Sequence, residues 1–158
     1  MNNIKEWEHE LSVKLGLLEK IIGRQIPKTK NKLFTRAIMN SQAFKEYIDI
    51  KPNELHYFTK YQYLETYGDA VIDLIVCKQI YDKGDSNIQM TLEKERIVNN
   101  NHLNELSKIL FMEIAILRNY SAEDTISFAN VLEQITAAIY VTFGYKFTSQ
   151  FLKIKGLF

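Results

Sequence analysis

Apolar residues recur every three or four positions through most of the chain, which is the period of a helix with one buried face. Ile4, Trp7, Leu11, Leu15, Leu18 and Ile22 form the first such stripe, with Gly16 a candidate kink or early end. Pro27, set among Lys and Thr in the stretch 23–31, marks a loop, and Leu33, Phe34, Ala37 and Ile38 then resume the period. The polar stretch 48–56, which holds Pro52, is a connection. From about Thr59 to Tyr81 the polar side disappears: Ala70-Val71-Ile72-Asp73-Leu74-Ile75-Val76-Cys77 is interrupted by one aspartate alone. A helix apolar on nearly all sides belongs at the centre of a fold. Turn formers at 82–87 end it, and Thr91 to Leu110 predicts another amphipathic helix through Ile97, Leu103, Leu106 and Leu110. Ser121 with Asp124 resembles a capping box. It opens a helix that buries Phe128, Leu132, Ile135, Ile139 and Phe143 and ends near Gly144, with a short helix following to about Lys155. No segment alternates with the period of a strand, so the pattern predicts an all-α fold of about six or seven helices.

Composition narrows the class. The chain has 158 residues, 46% hydrophobic and 25% charged, with two prolines, which excludes a disordered tail and predicts one compact domain over 1–158. Cys77 is the single cysteine and the N-terminus carries no apolar leader, so the expected location is the cytoplasm or another reducing compartment. No apolar run reaches the roughly 20 residues of a membrane span, and no membrane partner is expected. With 20 Lys+Arg against 19 Asp+Glu, there is no chain-wide footprint for nucleic acid, which must then be met by local basic patches or by metal ions.

Two sets of oxygen-bearing side chains carry candidate chemistry. Glu65 and Asp69, four apart, share one face of the apolar helix, and Asp73 extends the row. Acidic residues at this spacing usually mark a solvated face, but this helix has few polar positions for one. Like charges beside a core repel and lose hydration, and a cation relieves both costs. Gly68 gives up about 1 kcal/mol of helix propensity relative to Ala, for which a packing contact is the plain reading and close approach of another helix or of substrate the functional one. Asn130 and Glu133 share a face of the late helix. Two helices presenting hard oxygen ligands could together hold Mg²⁺, although spacing alone does not bring them together.

These residues lie in segments with a family likeness. Leu64-Glu65-Thr66-Tyr67-Gly68-Asp69-Ala70 resembles the signature helix of the ribonuclease III endonuclease domain, a Leu-Glu-x-x-Gly-Asp-Ala run. Ile97-Val98-Asn99-Asn100-Asn101-His102-Leu103 resembles that family's Leu-Val-x-Asn-x-x-Leu pattern. The stretch from Ala129 to Tyr140 resembles its Ala-Asp-x-x-Glu-Ala-x-x-Gly-Ala-Ile-Tyr helix, and Leu33 to Gln42 loosely matches its Leu-x-x-Ala-Leu-Thr-His segment. The likeness runs in order over roughly residues 10 to 145.

The resemblance implies a homodimer that cleaves double-stranded or structured RNA with Mg²⁺, or Mn²⁺ in its place, leaving 5′-phosphate ends and short 3′ overhangs. Glu65, Asp69 and Glu133 match acidic metal positions, and Asn130 stands where the family has aspartate, so its carbonyl can coordinate without adding charge. Gln62 occupies a position where a further glutamate is common. The stretch 119–128 lacks the basic residues that usually precede the later motif, and Thr142-Phe143-Gly144 replaces an Asp-Gly-Gly ending. These departures favour an alternative: a catalytically degenerate subunit with a structural or RNA-binding role in a ribonucleoprotein. A helical protein-interaction module is the third and weakest alternative. The 158 residues leave no room for the double-stranded-RNA-binding domain that often follows, so either the nuclease domain recognises its RNA alone or a separate partner supplies binding.

The remaining polar residues carry less. Asp73 is expected to be a polar or interface residue, His9 and His102 surface or satisfied histidines, and His56 a weak candidate for substrate contact. Arg24, Lys28, Lys30, Lys32 and Arg36 surround a loop, as a solvated face or as phosphate contacts. Tyr57, Tyr61, Tyr63 and Tyr67 are expected to divide between core and subunit contact.

Overall fold

The structure is a computed structural model that describes residues 2–121, 123–124 and 126–158. Among these residues the chain is helical: α1 Asn2–Ile22, α2 Asn31–Ala37, α3 Ser41–Ile50, the single turn α4 Leu55–Phe58, α5 Leu64–Lys83, α6 Asn87–Val98, α7 Asn100–Phe111 and α8 Ser127–Ile154. Seven of these are longer than one turn, as the periodicity predicts. One isolated parallel bridge, Met39 to Ile116, ties the α2–α3 link to the segment after α7, with Ile116 N–H donating to Ile38 O at 2.7 Å.

Local chemistry sets the boundaries. Gly84, at φ 76°, closes α5 in the left-handed conformation that glycine adopts without steric cost. Ser86 and Gln89 then open α6 with a reciprocal capping box. The helix expected over Thr91 to Leu110 is two helices. Asn99 turns extended (ψ 148°), its side chain accepting from His102 N–H at 2.9 Å and donating to the Arg96 carbonyl at 2.7 Å. One asparagine thus ends α6 and caps α7. Gly16, by contrast, neither kinks nor ends α1, which runs on to Ile22.

The capping box expected at Ser121 and Asp124 is also revised. Positions 122 and 125 lie outside the described residues, and α8 begins at Ser127. Asp124 Oδ1 accepts from the N–H groups of Ile126 and Ser127 at 2.8 and 2.7 Å, and Oδ2 from Ser127 Oγ. From α7 the buried Asn104 accepts from Ala129 N–H at 3.3 Å. Gly144 (φ 84°, ψ 177°) breaks α8 at a kink, as the expected helix end near that glycine requires.

The central helix is the first half of α8, not α5. Phe128, Ala129 and every residue from Val131 to Ile139 are buried, against α5 on one side and α7 on the other. On α5 the buried stripe is Leu64, Gly68, Val71, Ile72, Ile75, Val76 and Ile80, while Tyr63, Tyr67, Leu74 and Tyr81 stay exposed. Apolar residues on both faces of α5 therefore mean one face met by this chain and one left unmet.

α5 and α8 touch backbone to backbone at Gly68. A Cβ placed there lies 1.7 Å from the carbonyl oxygen of Glu133 and 2.4 Å from its carbon, so any side chain would drive the helices apart. Gly68→Ala should therefore destabilise the fold by about 3 kcal/mol or more in urea unfolding. Gly16→Ala meets nothing within 4 Å in mid-helix and should stabilise by about 0.5–1 kcal/mol. Equal effects would contradict the close approach.

Candidate functional site

The helix contact at Gly68 brings the two oxygen-bearing sets together. Glu65 lies in the first turn of α5, with Asp69 and Asp73 one and two turns on. Glu65 and Asp69 are exposed, Asp73 and Asn130 half-buried. Glu133 is 7% exposed. Burial first, and then the negative charges of Asp69, Glu65 and Asp73, together push its carboxyl up to about 8. Four carboxylates from two helices thus share one electrostatic environment, with Asn130 a turn before Glu133. Among the described residues, however, no three His, Cys, Asp or Glu side chains are gathered into a ready-made metal cage.

The donor set still suits a hard divalent cation. Its ligands are all oxygen, and Asp69, Glu65 and Asp73 add negative charge around the buried Glu133. Glu65, Asp69, Glu133 and the Asn130 carbonyl are the groups available to hold it.

Two cations that sequence reasoning did not place at the site stand beside it. Lys94 of α6 pairs with Asp73 at 2.9 Å, and Asp73, together with Cys77 and Asp69, holds its ammonium above the usual lysine range. Nothing in the pattern of α6 distinguishes Lys94 from an ordinary surface lysine. Arg36 is 9% exposed and lies beneath the site: Nη1 donates to Met39 O at 2.8 Å and to Gln134 Oε1 at 3.0 Å. Desolvation lowers its pKa, while the nearby Glu65 opposes the shift. Gln134, next to Glu133, was not singled out from sequence, and its burial at 4% exposure is a tertiary outcome.

The basic cluster read around the first loop does not form one face. Arg24 stacks on Phe143 and Phe147, Lys32 pairs with Glu54 at 3.0 Å, and Arg36 is buried. Glu54 also accepts from Tyr47 Oη at 2.6 Å, and burial with that bond holds the phenol above its usual range. His102 is satisfied by the Leu157 carbonyl at 3.1 Å, and His56 is exposed against Tyr57. Tyr61 packs on the core while Tyr57, Tyr63 and Tyr67 remain exposed. No helix among the described residues is long and apolar enough to cross a membrane.

Comparison with known proteins bears on this constellation. A family model described as the ribonuclease III domain matches residues 62–144, which hold all four candidate site residues. A ribonuclease 3 from Zunongwangia profunda is 31% identical over 98 residues, covering 58% of this chain and 40% of that protein. Two solved structures of the nuclease domain of ribonuclease III from Campylobacter jejuni share the fold. They have TM-scores of 0.67 and 0.66 at 21% and 19% identity, covering 88% and 89% of this chain and 93% and 92% of theirs. One of the two is described as showing flexibility in a region involved in dimer formation.

Protonation of Glu133 is linked to folding. The folded chain binds that proton more tightly than the unfolded chain, so the stabilisation is complete below about pH 4.3 and is lost as pH rises through about 8. In metal-free protein the urea midpoint should fall between about pH 5 and pH 8, and Glu133→Gln should flatten that fall. Parallel profiles for the two proteins would refute the linkage.

Proposed function

The chain belongs to the ribonuclease III family, and from that premise we propose that it is a metal-dependent endoribonuclease domain that cuts double-stranded RNA as a homodimer. One observation carries the proposal: Glu133, buried on α8, faces Glu65, Asp69 and Asp73 across the Gly68 contact. Such a concentration of carboxylates is costly for a fold to keep without a cation.

Glu65, Asp69 and Glu133, with the Asn130 carbonyl, would hold Mg²⁺, or Mn²⁺ in its place. When bound, the ion supplies charge neutralisation at the scissile phosphate and activation of the attacking water. The chain's own part is positional. The α5–α8 contact fixes the spacing of Asp69 and Glu133, and Lys94 takes up the Asp73 charge so that it does not add fully to the row. Water adds at phosphorus and the bond to the 3′ oxygen breaks, leaving a 5′-phosphate. Two sites related by a dimer axis would cut opposite strands a short distance apart, giving 3′ overhangs.

The unmet face of α5 supports the homodimer. Tyr63, Leu74 and Tyr81 are 70, 53 and 70% exposed and, with Tyr67, recur at helical spacing along one side of α5; Val141 and Tyr145 of α8 are also exposed. Tyr67 reaches Tyr140 edge-on at 6.0 Å. An exposed row of large apolar side chains on one helix face is what a subunit contact would cover. Leu74→Lys should convert a dimer to a monomer in sedimentation analysis without loss of helix content, and an unchanged sedimentation coefficient would rule this face out.

One residue favours a second reading, a degenerate subunit with a structural or RNA-binding role: Asn130 is neutral where the family has an acid. Cleavage of a long uniform duplex RNA with Mg²⁺ separates the two. Short duplex products are expected, lost in EDTA and reduced more than about 100-fold by Glu133→Gln. Asn130→Asp should raise the rate at limiting Mg²⁺. A folded dimer that cuts nothing, with Mn²⁺ included, would leave the degenerate reading.

A further inference from the structure

A cavity separate from the carboxylates opens between α2, α3, α4 and the approach to α5, lined by Arg36, Ser41, Phe44, Leu55, Phe58 and Gln62 among others. Its unusual member is Arg36, which is 9% exposed. A guanidinium carries five N–H donors, and the two on Nη1 are used by Met39 O and Gln134 Oε1. Those on Nε and Nη2 meet no acceptor among the described residues, and Glu65 acts on Arg36 without forming an ion pair with it. Neither nitrogen is a buried atom without a partner, so these donors are open to solvent at the cavity that Arg36 lines. The cavity that Arg36 lines is where an acceptor would sit.

We propose that this cavity binds the phosphate monoester of a nucleotide, with the phosphate on the Nε–Nη2 edge of Arg36 and the base or sugar against Phe44, Leu55 and Phe58. Three further features select that chemistry. Ser41 is the first residue of α3, so the rim offers a hydroxyl and the positive end of a ten-residue helix. Arg36 lies over the Phe44 ring at 4.6 Å, which fixes the guanidinium plane and pre-organises its fork for a tetrahedral oxyanion. Gln62 lines the same cavity with a neutral amide, so no carboxylate among the lining residues competes for Arg36. The donors together exceed what one carboxylate can accept, while a phosphate monoester presents three terminal oxygens. The source is a free nucleotide or the 5′ end of an RNA strand. The site needs neither the metal nor catalysis, so its failure and failure of the nuclease proposal are separate results.

The test is calorimetric titration of the full chain in EDTA with inorganic phosphate, adenosine, adenosine 5′-monophosphate, and hairpin RNA bearing either a 5′-phosphate or a 5′-hydroxyl. Saturable binding of the monophosphate is expected, at least about tenfold tighter than inorganic phosphate or adenosine. Gln62→Glu changes an exposed side chain and should weaken binding about 10- to 100-fold at an unchanged melting temperature. Arg36→Lys should weaken it similarly. Preference for 5′-phosphorylated RNA, with displacement by the monophosphate, assigns the source to an RNA end; equal affinity for the two RNAs assigns it to the free nucleotide. The proposal is overturned if the monophosphate fails to saturate up to about 10 mM, binds no tighter than inorganic phosphate, or binds Gln62→Glu as well as the parent chain.

Discussion

The contact of Gly68 with the Glu133 backbone is the constraint on which the rest of the molecule depends. With no Cβ at 68, α5 can lie directly on the carbonyl of residue 133. That closeness is what puts Asp69, one residue along, within electrostatic reach of Glu133. It also draws the first half of α8 to the centre, where it is buried from 131 to 139. The helix propensity given up at Gly68 is small beside the packing it permits.

Charge is arranged around that contact in a way that isolated helices could not manage. Three carboxylates on one side of α5 meet a fourth that is already desolvated, and the fourth responds by holding its proton to about pH 8. Lys94 enters from α6 to balance Asp73. Arg36 enters from α2, fastened by Met39 and Gln134, and brings positive charge near Glu65 without closing an ion pair. The site is thus strongly acidic, flanked by two cations whose partners are fixed by other elements. An all-oxygen set of this kind suits a divalent cation, and Arg36 keeps donors open to solvent on its other side.

Most of the secondary structure was legible because its signals are local. Three- and four-residue spacing, Gly84 and Gly144 depend on a few neighbouring residues, and they pointed to an all-α chain of about six or seven helices with a late break at Gly144. Misjudged boundaries came from side chains acting on the backbone. Asn99 splits one expected helix into two by capping in both directions, and Asp124 caps α8 with help from Asn104, distant in sequence. The centrality expected of α5 failed for another reason. Apolar residues on two faces are the same in sequence whether the second face meets this chain or another surface.

By itself the sequence determined the all-α class, the face shared by Glu65 and Asp69 and the face shared by Asn130 and Glu133, and it offered close approach at Gly68 as one of two readings. Each follows from helical periodicity or from the absence of one side chain. Only the tertiary structure decided that the two faces meet, that Glu133 is buried with its proton held, that Lys94 stands against Asp73, and that Arg36 leaves a solvated loop for the interior. Those outcomes turn on which helix packs on which. Pairwise distances between residues dozens of positions apart set burial and charge, and periodicity within one helix carries no record of them.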